Sequence, residues 1–432
     1  MTDSPRAGSS LEQWLEYQQS THSQTIDLSL ERVREVAARL GLLEPRCAVA
    51  IVGGTNGKGS TATALAGMLC ACGWRTGLFT SPHLVSYNER VRIDGTEAAD
   101  QELVGAFERI EAARGAITLT YFEYNTLAAL QVFERSAVDA MVLEVGLGGR
   151  LDATNILDAD VAVLCSVGLD HRDWLGDTVE QIGAEKAGIF RRDQPVVLGS
   201  ADMPDSVWRR LADLQCRVHC PQREFDWRID GGEGFAGEPW QYRSARCTLA
   251  GLPAPALPGA IQYRNAATAL TALQLLAAPG ACEHGRIAPA LRSLALPGRL
   301  QIVPGPVEWI LDVAHNEPAA QVLAGALAAR PVSGRTLAVV SLLADKDAAA
   351  VGRRLDALID HWILTGVQDE PRGLSAQALA ARLPPLRGTL ELADTVPVAC
   401  GRAHAQAAAG DRVVVLGSFH VVRPALMWLG LY

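Results

Sequence analysis

The residues best placed to do chemistry begin at "AIVGGTNGKGSTATAL", residues 50–65. Gly54, Gly57 and Gly59 let backbone N–H groups come close to an anion, and the start of the following helix adds its positive end. Lys58 supplies a point charge for outer phosphates, and Ser60 and Thr61 follow it. A plain tight strand-to-helix turn rarely needs all of these together. Gly54, Gly57, Lys58, Gly59, Ser60 and Thr61 therefore read together as an anion-binding loop. The loop departs from the strict pattern of Gly, four residues, then Gly-Lys-Ser/Thr. Val52 stands at the first Gly, and Gly59 stands where the magnesium-holding hydroxyl belongs.

The missing hydroxyl directs attention to other strand ends. Ser81 lies in "FTSPHL", Glu144 in "VLEVGLGGRLDATN" and His171 in "GLDHRDWLG". Taken singly, Ser81 before Pro82 reads equally well as a turn residue. His171 beside Asp170 and Asp173 reads equally well as a surface-loop residue. Glu144 in an apolar strand would be costly without a partner, which favours a functional role. All three fall at the ends of successive expected strands, and in doubly wound sheets such ends converge on one crevice. Hard donors gathered there suit Mg²⁺.

The elements that must position these residues alternate. Short apolar runs at 47–52, 76–80, 140–145, 160–167 and 195–199 suit a parallel sheet covered on both faces. Helical patterns follow the loop and recur at 125–136 and 265–278. Leu30, Val33, Val36, Ala37 and Leu40 share one helical face that Gly41 ends. Residues 200–260 read as small extra strands and loops. The Pro- and Gly-rich "LPGRLQIVPGP", 296–306, reads as a hinge. Beyond it, runs at 307–313, 336–343, 361–366 and 411–418 alternate with Ala-rich helices. The expected architecture is α/β: an N-terminal P-loop ATPase domain, residues 1–298, with a mostly parallel sheet flanked by helices. A smaller C-terminal Rossmann-like α/β domain, residues 299–432, follows.

Composition sets further bounds. A chain of 432 residues is too long for one core. A net charge of −9 without a dense basic run argues against nucleic acid. The polar start lacks the apolar stretch of a signal peptide, and no run is long enough to span a bilayer. Nine cysteines without a regular framework fit reduced thiols in a cytoplasm. Cys216 and Cys220 suggest a zinc clip, but no second ligand cluster is near, which favours ordinary thiols.

"GTNGKGST", "TSPHL", "LEVGLGGRLDATN", "LDHRDWLG", "EKAGIF", "LPGR" and "DVAHN" occur here in the order found in folylpolyglutamate synthases. The chain resembles that family over residues 25–420. The family is related to the Mur ligases, which form amides at the expense of ATP. "DLSLERV" and "LTYFEYNTLAAL" resemble the enterobacterial type, bifunctional as dihydrofolate synthase and folylpolyglutamate synthase. The resemblance implies that Thr55 to Lys58 hold ATP phosphates and that Asn265, Arg299 and Asp312 contact ATP, with His315 beside them. It implies two Mg²⁺ ions, with Ser81 and Glu144 at one and Glu144's neighbourhood and His171 at the other. Lys186 matches a family lysine carried as a carbamate, a form that presents a carboxylate where an ammonium could ligate nothing. Asp27, Leu28, Ser29 and Leu30, Thr120, Tyr121, Phe122 and Glu123, and Leu151, Asp152 and Ala153 fall where the pterin substrate is held. Arg90, Asp152 and Ser418 match residues of the catalytic cleft, together with Lys58, Lys186 and His315. Gln262 stands where many members place a His-Gln pair. No residue of 200–260 is carried over.

The implied reaction is the attack of a pteroate or folate carboxylate on the γ-phosphate of ATP. L-Glutamate's amine then attacks the acyl phosphate. The implied partners are ATP, L-glutamate, dihydropteroate and reduced folates, in a monomer. A Mur-type ligase acting on a UDP-muramoyl peptide is the nearest rival, and Gly59 with the "DLSL" and "LTYFE" segments speaks for a pterin instead. A nucleotide-gated binding protein without catalysis is the rival from another class.

Overall fold

The computed structural model describes residues 5, 8–24, 26–232, 234, 237–277, 282–367, 370 and 372–431. The strands, in chain order, are β1 Ala48–Gly53, β2 Thr76–Phe79, β3 Val91–Ile93, β4 Thr96–Glu97, β5 Ala140–Glu144, β6 Val161–Leu164, β7 Pro195–Leu198 and β8 Arg217–His219. They form one sheet in the order β4-β3-β2-β5-β1-β6-β7-β8. Strands β2, β5, β1, β6, β7 and β8 run parallel, and β3 and β4 add an antiparallel edge.

The next strands, β9 Phe225–Ile229, β10 Trp240–Ser244 and β11 Thr248–Leu252, make a small antiparallel sheet inside the segment read as irregular. That segment also holds the helix Asp205–Asp213 and the eighth strand of the main sheet. Strand β8 is only three residues long, too short for a periodicity to register.

The segment 296–306, read as a hinge, holds a short strand, β12 Gln301–Val303, and after it come β13 Glu308–Asp312, β14 Thr336–Val340, β15 His361–Thr365, β16 Thr389–Ala393 and β17 Arg412–Leu416. Their order is β12-β13-β17-β14-β15-β16, parallel except for β12. Strand β16, "TLELA", was not expected. It is an edge strand with two exposed residues, so no apolar run marks it.

The helix Lys58–Ala71 is buried nearly all round, because it lies between the main sheet and the helix Ile261–Leu276. Burial of Leu65, Met68 and Leu69 contributes about 1.5–3 kcal/mol each. This fixes the helix start, and so the glycine loop, against the ends of β1 and β6. Of the helix expected over 265–278, residue 278 lies outside the described residues. Helix Tyr121–Arg135 begins four residues before its expected start, because Thr120 and Glu123 cap it reciprocally. Helix Glu31–Arg39 follows the expected apolar face and stops before Gly41. Among the described residues no helix is long and apolar enough to cross a membrane.

Candidate active site

The loop after β1 opens on a cavity of about 320 Å³. Thr55, Asn56, Gly57, Lys58, Gly59 and Ser60 line it, with Ser81, Glu144 and His171 from other strand ends. Asn265, Arg299, Asp312 and His315 also line it. Not all of the loop's amides face a ligand. Thr55 N donates to Ser166 O at 2.8 Å and Asn56 N to Ser166 Oγ at 3.0 Å, so both are spent on the loop after β6. The open donors are those of the first helical turn, Lys58, Gly59 and Ser60, which have no intrahelical partner. Gly54 has φ of +145°, and a Cβ there would lie 3.1 Å from both Cys165 Cβ and Ser166 N. No side chain fits that corner.

The question of the missing hydroxyl is decided at Gly59. A Cβ at Gly59 would lie 3.5 Å from both carboxylate oxygens of Glu144. The carboxylate thus stands over the position from which a Ser or Thr would present its oxygen. Glu144 is buried and accepts from Ser81 N at 3.0 Å. Burial raises its pKa, against the charges of Lys58, Arg299 and Arg90 and the Ser81 N–H. Lys58 Nζ donates to Gly54 O at 3.0 Å and Thr55 O at 3.2 Å. Lys186 Nζ donates to the same Gly54 O at 3.1 Å. Lys186 is buried beneath the loop and is not among the residues lining the cavity. Burial, and then the charge of Lys58, push its pKa down to about 7.

The oxygen donors Ser81 and Glu144 suit a hard divalent cation. Among the described residues no group of three His, Cys, Asp or Glu lies together as a metal cluster. Two such donors could make only a partial shell, of the kind that phosphate oxygens and waters complete. His171, in a left-handed conformation at φ +51°, is held mainly neutral, its pKa lowered to about 4 by burial. The unmodified amine of Lys186 adds no oxygen donor.

The far wall of the cavity comes from the third sheet. Asp312 accepts from Leu300 N and Ala314 N, both at 2.7 Å, and so shapes the turn that carries Arg299. Arg299 lies 5.1 Å from the Phe419 ring, and its Nη1 is buried without a hydrogen-bond partner. Burial lowers the Arg299 pKa. An orphaned guanidinium donor in a cavity wall is a ready partner for phosphate. Two bridges join the walls. Asn56 and Asn316 exchange amide hydrogen bonds of 3.1 and 3.2 Å. Asp170 accepts from Lys346 Nζ at 2.5 Å and Asn316 Nδ2 at 2.9 Å, with His315 Nε2 at 3.3 Å.

A second cavity of about 350 Å³ lies beside the first. Asp27, Leu28, Ser29, Thr120, Tyr121, Phe122, Glu123, Leu151, Asp152, Ala153 and Arg90 line it, and Ser81, Pro82 and Gly146 line both. Leu30 does not line it; it caps the helix Glu31–Arg39 and packs into the core. Arg32 bridges Asp27 at 2.8 Å and Glu123 at 3.2 Å. Arg90 lies over the rings of Tyr87 and Tyr121 at 5.9 and 5.7 Å and donates to His83 Nδ1 at 2.8 Å. Asp152 uses both oxygens inside the protein, accepting from Gly146 N, Leu147 N, Thr154 N and Thr154 Oγ1. Its geometry is that of a residue that shapes the glycine-rich turn. Ser418 lines neither cavity; its Oγ is buried without a partner beside Phe419, which lines the first.

The Mur ligase middle domain matches residues 52–219, and the Mur ligase glutamate ligase domain matches residues 298–419. The dihydrofolate synthase/folylpolyglutamate synthase of Escherichia coli (strain K12) is 45% identical over 97% of this chain and 95% of its own. The chain belongs to the dihydrofolate synthase/folylpolyglutamate synthase family. The Haemophilus influenzae member is 38% identical over 96% of this chain and 97% of its own. E. coli FolC in complex with DHPP and ADP superposes with a TM-score of 0.92 at 43% identity, covering 99% of both chains. The bifunctional enzyme of Yersinia pestis complexed with AMPPNP and Mn ion gives 0.90 at 42%, covering 99% of this chain and 100% of its own.

Within this synthase, several site residues escaped sequence reasoning. Phe419 and Arg372 line the two cavities from the third sheet's side, and Lys346 anchors Asp170. Asp170 and Asn316 sit inside quoted motifs, "LDHRDWLG" and "DVAHN", and that position was the one signal that could have found them. Lys346, in "LLADKD", carries no such mark.

Proposed function

We infer that this chain is an ATP-dependent ligase that joins L-glutamate to the carboxylate of dihydropteroate, and to the γ-carboxylate of reduced folates, through an acyl phosphate. The observation that carries the reading is the join between the cavities, where Ser81, Pro82 and Gly146 wall both. An acid seated in the second cavity and a nucleotide in the first present their reacting ends to one another there. Pairing two bound reactants this way removes much of the entropic barrier.

Roles follow from position. Pro258, Ile261, Val322 and Leu323 offer an apolar wall for a base, with Asn265 and Gln262 as its polar rim. Lys58, Arg299 and the first-turn amides take the phosphates and stabilise charge that grows as the γ-phosphoryl moves. Arg90 holds the acid. Ser81 and Glu144 would hold one divalent cation, Mg²⁺ in the cell, and His171 and carbamylated Lys186 a second. Bound there, such ions neutralise charge on phosphate oxygens. Carbamylation needs the free amine, and a lysine poised near neutrality supplies it: nitrogen bonds to the carbon of CO₂ and the amine loses a proton. The two parts meet at a boundary placed at residues 298/299, and their closure over the reactants excludes water. The chain is read as a cytoplasmic monomer.

Release of ADP, measured with dihydropteroate or a tetrahydrofolate, each with and without L-glutamate, tests the reading. Glutamate-dependent release with both acceptors is expected. Release with neither, despite nucleotide binding, would favour the non-catalytic switch. Activity only with a UDP-muramoyl peptide would move the chain to the other branch of the superfamily.

A further inference from the structure

At the second cavity one cation is held without a counter-charge. The chain leaves β2 through Ser81 and enters the short turn Tyr87–Arg90, and a single carboxylate folds this stretch back on itself. Buried Glu89 accepts from Leu84 N at 2.8 Å, Val85 N at 2.6 Å and Ser86 N at 2.7 Å. His83 is thereby brought beside Arg90, whose Nε donates to His83 Nδ1 at 2.8 Å. An arginine Nε–H only donates, so Nδ1 is the unprotonated nitrogen and the neutral imidazole carries its proton on Nε2. Tyr87 and Tyr121 flank the guanidinium with ring centroids at 5.9 and 5.7 Å, and the Tyr87 hydroxyl is fixed on Asn125 Oδ1 at 2.8 Å. Arg90 is buried, yet among the described residues it makes no salt bridge, and neither Nη1 nor Nη2 has a protein acceptor. Arg372, which lines the same cavity, is by contrast paired with Glu370 at 3.1 Å and Asp345 at 3.6 Å.

We propose that His83 is a positioning residue for the acceptor acid: by accepting from Arg90 Nε it aims the two free amino groups of the guanidinium into the second cavity as a fork for the substrate carboxylate. The proposal rests on the reading of that cavity as the seat of the acid. A planar guanidinium grips a carboxylate through two parallel N–H donors, so fixing its third nitrogen fixes the direction of the fork. Whatever holds that nitrogen also decides how much charge remains. A carboxylate at position 83 would set the same direction but pair with the cation internally, and an incoming acid would have to share it. The neutral imidazole sets the direction and leaves the positive charge to the substrate. The two tyrosine faces favour the cation without supplying an anion.

Three variants separate direction from charge, each assayed as ADP release with dihydropteroate, ATP and L-glutamate. His83→Ala loses the acceptor, and KM for dihydropteroate should rise ~10-fold with a smaller fall in kcat. His83→Asn returns an oxygen near the place of Nδ1 and should bring that KM back to within ~3-fold of wild type. His83→Asp keeps an acceptor but adds a charge, and the KM should rise at least ~30-fold, beyond the alanine variant. KM for ATP should not change in any of them. At the assay pH, ¹⁵N NMR of the wild type should show Nδ1 of His83 unprotonated, and Arg90→Lys should shift that resonance. His83→Ala with the wild-type KM for dihydropteroate, His83→Asp no worse than His83→Ala, KM for ATP rising in step, or a proton on Nδ1 would each overturn the proposal. Absence of turnover by the wild type with every acceptor would instead strike the functional reading, while the NMR result still decides this one.

Discussion

Asp170→Asn tests how the two walls of the nucleotide cavity are held together. The carboxylate is buried, as is Lys346 at 2.5 Å, and the two come from different sheets. Burial raises the Asp170 pKa, but the hydrogen bond from His315 and the charges of His315, His171 and Lys346 outweigh it and hold the group well below the usual carboxylate range. Asparagine keeps the shape and removes the charge. Breaking a buried pair by deleting one partner costs about 3–5 kcal/mol. Here Asp345 remains 3.3 Å from Lys346 and compensates in part, so about 2–3 kcal/mol is expected, or ~30–150-fold in an equilibrium. Because the pair spans the two walls, the loss should fall on the closed arrangement: KM for ATP rises by up to that factor, with a smaller fall in kcat. ADP release at saturating glutamate and acceptor reads both. Adding Lys346→Met should recover at least half of the loss, since no buried charge is then left alone. A depressed carboxyl contributes fully above its unfolded value of about 3.9 and loses that contribution as pH falls through the folded value. The difference in Tm between wild type and variant should therefore stay constant from about pH 5 to 8 and narrow only in stronger acid. Asp170→Asn with wild-type KM and Tm, or a double variant worse than the single, would refute the bridge.

Glu144→Ala should abolish glutamate-dependent ADP release while circular dichroism shows an intact fold; chelation by EDTA should give the same loss, reversed by Mg²⁺ or Mn²⁺. Lys186→Ala should fail likewise and regain part of its rate with an added short carboxylic acid, whereas no rescue at any concentration would count against the carbamate. Because the Lys186 pKa is lowered to about 7, protonation below that pH removes the amine that takes up CO₂. Wild-type activity in CO₂-depleted buffer should therefore fall as pH drops through 7 and return with bicarbonate. Gly54→Ala should weaken nucleotide binding in a titration calorimeter by at least ~10-fold, because the new Cβ meets Cys165 and Ser166 at 3.1 Å on a backbone of positive φ.

The glycine loop and the strands that frame it were readable one window at a time. Gly54 and Gly57 announce backbone conformations that few other residues adopt, and the apolar runs of β1, β5 and β6 mark strands buried on both faces. Glu144 betrayed itself because a carboxylate in such a run demands a partner. The small sheet β9–β11 was less legible, since its strands alternate with exposed Arg and Asp positions and pack on one side only.

Sequence alone determined the glycine-rich loop, the succession of parallel strands, and the polar residues at their ends, because local conformational need and hydrophobic period are properties of neighbouring residues. Tertiary structure decided that Glu144 faces Gly59, that Lys186 lies under the loop rather than in the cavity wall, and that Lys346 finds Asp170, 176 positions away. Contacts of that range depend on how two sheets dock. No pattern along the chain encodes such docking, because the energy that selects it is shared over the whole packed interface.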